Sequence, residues 1–97
     1  MINELNENVI NALEILGKAT LNETRQGFEF QFENSNKCNY CKVVKYHNSF
    51  IIQFRKRGND NFTNESYDKL VYEKVIKPQE FVNVFEKVTG IYLSGLY

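Results

Sequence analysis

The chain has 97 residues, 42% of them hydrophobic and 25% charged, and a formal net charge of zero. These figures bound it to one globular domain that can close a core without staples. They argue against a protein that coats DNA by bulk charge, and the 14% of Phe and Tyr excludes a disordered chain.

The first segment reads as a helix. Ile2, Leu5, Val9, Ala12 and Leu16 recur at three-to-four spacing with Leu13 beside them, and Glu4, Glu7, Asn11, Glu14 and Lys18 form the opposite stripe. Gly17 stands where a left-handed C-terminal cap is expected. Residues 19–27 fit either a loop or a short strand around Leu21. Phe28, Phe30 and Phe32 then alternate with Glu29, Gln31 and Glu33, the pattern of a half-buried strand. Two further strands, Tyr40–Tyr46 and Phe50–Lys56, are joined through His47, Asn48 and Ser49. A polar loop, Gly58–Ser66, leads to a fourth strand at Lys69–Ile76. Pro78 opens a second helix that buries Phe81, Phe85 and Val88 and stops at Gly90, and the apolar tail packs against the domain. The predicted fold is α+β over residues 1–97. An N-terminal helix, a four-stranded antiparallel meander and a C-terminal helix follow one another, with both helices on one sheet face.

Two registers are open to the central hairpin, and they exchange the faces of its strands. A two-residue turn puts Tyr40, Lys42, Tyr46, Arg55 and Arg57 on one side. A three-residue turn gathers Tyr40, Val44, Tyr46, Phe50, Ile52 and Phe54 into one apolar face and turns Lys45 and Arg55 to water. The second gives the cleaner core and is the expected register.

The neutral total hides a local imbalance. Residues 37–57 carry Lys37, Lys42, Lys45, Arg55, Lys56 and Arg57 with no acid, while Glu4, Glu7 and Glu14 line the first helix. Rings among cations on a sheet are what single-strand nucleic acid binders use. A carboxylate stripe can meet a basic groove by imitating phosphate. The candidate contact residues are Tyr40, Lys42, Lys45, Tyr46, Arg55, Lys56 and Arg57 on the hairpin and Glu4, Glu7 and Glu14 on the helix.

Catalytic signatures are missing. There is no GxSxG, GxxxxGK[ST] or GxGxxG, and no Asp or Glu between residues 34 and 59 to partner the single histidine, His47. Cys38 and Cys41 have metal-ligand spacing, but a closed zinc site needs four ligands and the chain offers these two and His47, so a zinc would need two such pairs brought together across a dimer. They read as small apolar residues at a strand start, Cys41 partly buried, with no metal and no cofactor.

The expected function is a small non-enzymatic protein-binding module, monomeric or homodimeric, with no membrane segment and a cytoplasmic place in a bacterial host cell. Thirteen asparagines, with abundant Lys and Ile, mark an AT-rich coding sequence. The concrete version is therefore a phage or mobile-element inhibitor of a host nuclease or defence complex, anti-CRISPR-like in action. The alternative is a single-stranded nucleic acid binder using the basic aromatic hairpin. The element order over roughly residues 28–90 resembles that of Whirly-type and coactivator-type single-strand DNA binders, which implies that second activity.

Overall fold

The computed structural model describes residues 4–96, so Ile2 of the predicted stripe and Tyr97 of the tail lie outside the described residues. Helix α1 spans Glu7–Gly17 and opens on Asn6, whose side-chain oxygen accepts the Asn8 N–H at 2.8 Å. Its end corrects the expected cap. Gly17 is helical, and the positive φ of 51° falls on Lys18. Position 17 is tight for another reason: a Cβ there would sit 3.0 Å from the Cβ of Phe30, where α1 crosses the sheet.

The sheet has five strands, one more than expected: β1 (Asn22–Glu23), β2 (Gly27–Gln31), β3 (Tyr40–Tyr46), β4 (Ser49–Asn59) and β5 (Ser66–Ile76). They lie in the order β1-β2-β3-β4-β5 with every neighbour antiparallel, a simple meander. The extra strand is only two residues long. Gly27 admits no side chain, because a Cβ would come within 1.8 Å of the Val43 carbonyl oxygen.

The central hairpin corrects the expected register. Tyr46 pairs with Ser49, so the turn is the two residues His47 and Asn48. His47 has a φ of 53° at the first turn position, the sign that a type II′ turn needs. The helix side therefore receives Cys41 and Val43 with Phe50, Ile52 and Phe54, all buried. Tyr40 and Tyr46 go to the other face. The physical reason is volume: the helix side already holds the rings of β2 and of the second helix, and small side chains from β3 fill what remains.

Helix α2, Phe81–Thr89, follows a 3-10 turn at Pro78–Glu80 and ends at Gly90 with the expected left-handed φ of 77°. Phe85 is the hub of the core. Its ring centroid lies 5.9 Å from Phe30, 5.5 Å from Phe32, 5.8 Å from Phe54 and 5.9 Å from Phe81. Val9, Ala12 and Leu13 of α1 and Leu93 of the C-terminal 3-10 turn (Leu93–Leu96) join the same cluster. Both helices thus cover one face of the sheet, and among the described residues no layer covers the other.

Candidate functional site

Strand alternation fixes what the uncovered face displays. Pairing across β3, β4 and β5 aligns Val44, Ile51 and Val75 in one row, and Lys42, Gln53 and Glu73 in the next. Tyr40, Arg55 and Leu70 form a third row, and Arg57 with Asp68 a fourth. Glu29 of β2 stands beside Lys42. The apolar row is open to water at its outer end, where Val75 is 54% exposed.

Both arginines of this face are engaged by one carboxylate. Asp68 reaches both guanidiniums, 3.3 Å from Arg55 Nη1 and 3.2 Å from Arg57 Nε. The second contact is an ion pair only, since Arg57 Nε is buried without a well-directed hydrogen bond. Asn39 holds that strand in place: its Nδ2 donates to the Arg57 carbonyl at 2.6 Å, and its Oδ1 accepts the Arg57 N–H at 2.8 Å. Gln53 donates to the Glu73 carboxylate. Counting open-face strand positions, Lys42, Arg55 and Arg57 stand against Glu29, Asp68 and Glu73, three cations against three carboxylates.

Tyr40 is only 5% exposed, although it lies on this face. The Arg57 guanidinium covers its ring at 3.7 Å from the centroid, and its hydroxyl donates to Glu29 Oε2 at 2.8 Å. Burial, then the hydrogen bond to Glu29 and the charge of Glu29, push the phenol up to about 12, with Arg57 opposing. The ring is not free to stack a base. Tyr46 is half exposed and packs edge-on to His47 at 4.6 Å.

The ten candidate contact residues do not form one patch. Tyr40, Lys42, Tyr46, Arg55 and Arg57 share the uncovered face. Lys45 turns to the helix side and pairs with Glu4, so Lys45 and Arg55 do not point together to water. Lys56 also turns to the helix side, where Nζ donates to the Asn36 carbonyl at 3.2 Å. Glu4 precedes α1 and is spent on Lys45, which leaves Glu7 and Glu14 exposed on the helix. Three contributors were not singled out from the sequence: Asp68, the Val44–Ile51–Val75 row, and Phe62. Phe62 is 99% exposed at the tip of the β4–β5 hairpin, and its N–H is held by Asp60 Oδ1 at 2.8 Å. A lone aromatic inside an otherwise polar loop was its signal.

Cys38 and Cys41 are free thiols buried in the core, Cys41 completely rather than partly. Burial raises both above the usual thiol range, with Cys38 adding to the effect on Cys41, while Ser35, Lys37 and Lys56 partly offset it at Cys38. Thiols placed there cannot meet a second pair across a dimer without opening the core. His47 lies beyond the opposite end of β3. Among the described residues, no group of three or more His, Cys, Asp or Glu could hold a metal ion.

A cavity of about 600 Å³ lies between the end of α1 and the Tyr40–Arg57 end of the sheet. Glu33 is its one carboxylate. The Thr20 hydroxyl there is tied to backbone, donating to the Gly17 carbonyl at 2.5 Å and accepting the Gln31 N–H at 2.9 Å. No helix is long and apolar enough to cross a membrane among the described residues. Compared with protein-family profiles, curated proteins and solved structures, the chain matches none of them, so the likeness to single-strand DNA binders rests on element order alone.

Proposed function

We propose that the chain is a non-enzymatic protein-binding module whose contact surface is the uncovered face of its sheet. The observation that carries this reading is the pairing of both arginines of this face. Arg55 and Arg57 share Asp68, and Arg57 caps the ring of Tyr40. A surface that tracks phosphates needs unpaired cations and bare rings. A balanced face with an apolar row beside it suits another protein, whose own side chains supply apolar contact and matched charges.

The most concrete form of this proposal is an inhibitor that docks on a host nuclease or defence complex and is carried by a phage or mobile element. The AT-rich composition and the two exposed carboxylates of α1, Glu7 and Glu14, support it. The test uses the full chain as bait in a low-GC bacterial host. Capture of a nucleic-acid-handling protein, lost on Val75→Glu or Lys42→Glu while circular dichroism and melting stay unchanged, is the expected result. The chain alone should bind single-stranded DNA or RNA no tighter than ~100 μM at physiological salt. Submicromolar, salt-sensitive binding to a bare oligonucleotide would overturn the proposal in favour of a nucleic acid binder.

A further inference from the structure

Strand β5 closes one side of the sheet, and its far edge pairs with no strand among the described residues. On the helix side of that edge, β5 and α2 leave a groove of about 410 Å³. Its apolar lining is Val71 and Tyr72 from the strand and Val84 and Val88 from the helix. Lys37, Lys74 and Lys87 also line it, and no carboxylate does. None of these three lysines takes part in an ion pair among the described residues. The uncovered face has every arginine paired; this groove has three cations and no counterion.

An exposed strand edge offers a row of backbone donors and acceptors to an incoming strand. The usable length is set by the chain itself. Pairing slips between Phe54–Tyr72 and Arg55–Leu70, which leaves Val71 as a bulge. Bulges interrupt the ladder, so the edge has two regular runs, Ser66–Leu70 and Tyr72–Ile76, and the second lies along the groove. Within it Tyr72 and Lys74 turn to the groove, while Glu73 and Val75 turn to the uncovered face. A strand laid alongside would send every second side chain into the groove, toward lysines and an apolar floor.

We propose that this groove binds an extended acidic segment of a partner protein, which adds to the sheet as a further strand beside β5. Its backbone pairs with Tyr72–Ile76. Its Asp or Glu side chains meet Lys37, Lys74 and Lys87, and an apolar side chain rests on Val71, Val84 and Val88. The site goes beyond the uncovered-face reading, because it lies on the helix side of β5 and uses none of the same cations.

The test is selection of a displayed library of linear peptides on the full chain. The expected result is enrichment of segments in which Asp or Glu alternates with Val, Ile or Leu. A synthetic peptide from that set should lose about tenfold in affinity against Lys74→Glu combined with Lys87→Glu, since the reversals set like charges against its carboxylates. It should lose binding when its own alternate backbone amides are methylated, a change that leaves the protein untouched. Lys42→Glu, on the uncovered face, should leave the peptide affinity as it was, so the two proposals fail separately. Enrichment without acidic residues would overturn the inference, as would binding indifferent to both lysine reversals. Displacement of the peptide by oligothymidylate with the same lysine dependence would assign the groove to nucleic acid and overturn it too.

Discussion

Replacing Asp68 by Asn removes the one carboxylate that both Arg55 and Arg57 reach. The side chains involved are partly exposed, 28% and 41% for the arginines and 45% for the aspartate. Ion pairs of that kind contribute about 0–1 kcal/mol each, so the variant should lose at most about 1–2 kcal/mol and stay folded. Its face changes more than its stability. The balance of three cations against three carboxylates shifts by one charge, and two guanidiniums become available. Two phosphate contacts at about 1 kcal/mol each raise affinity for single strands about thirtyfold at low salt. They should also steepen the salt dependence by about 1.4, at about 0.7 per phosphate. Fluorescence anisotropy of labelled oligothymidylate between about 50 and 200 mM salt measures both quantities, with a urea melt as the check on folding. Wild-type chain should bind weakly and Asp68→Asn should gain affinity. An Asp68→Asn protein with a native melt and an unchanged slope would refute the claim that Asp68 masks the arginines.

Phe85→Ala removes the ring that touches four others and should cost about 3–5 kcal/mol in a urea melt. Glu29→Ala should cost only about 1 kcal/mol, for the hydrogen bond from Tyr40. Tyr40 ionises near 10.0 when unfolded and near 12 when folded, so burying it neutral stabilises the fold fully below pH 10 and progressively less as pH rises through 12. That contribution is about 3 kcal/mol, and Tyr40→Phe should show a flatter loss of stability over the same interval than wild type. A thiol reagent should label Cys38 and Cys41 only as fast as the protein opens, and Cys41→Ser should cost about 1–3 kcal/mol by putting a hydroxyl in an apolar site.

Where one residue type forces one environment, the sequence was legible. The alternation of Phe28, Phe30 and Phe32 identifies their strand and its buried side, and Gly90 marks the end of α2. Tyr40 and Tyr46 were not legible, because tyrosine suits a core or a wet face equally well. Which they take depends on the rings of Phe81 and Phe85, forty residues away, and so on tertiary packing. Asn22–Glu23 gives no strand signal, since both types are depleted in strands and the pairing to β2 comes from the turn at Thr24–Gly27. The charge network escaped for a related reason. Asp68 enters it only through a pairing shifted at Val71, and no periodicity reveals a bulge.

That bulge also decides whether the chain recognises itself. Two copies of β5 laid antiparallel with Val71 against Val71 would set Asp68 against Lys74 and Lys69 against Glu73, so as written the segment is close to self-complementary. The bulge takes this away. Asp68 points to the uncovered face and Lys74 to the helix side, and residues on opposite faces cannot stand opposite in a continuous sheet. Of the registers that keep faces matched across the bulge, one puts Asp68 against Glu73 and the next puts Lys69 against Lys74. In those two registers like charges meet across the edge, a penalty that a foreign strand does not carry.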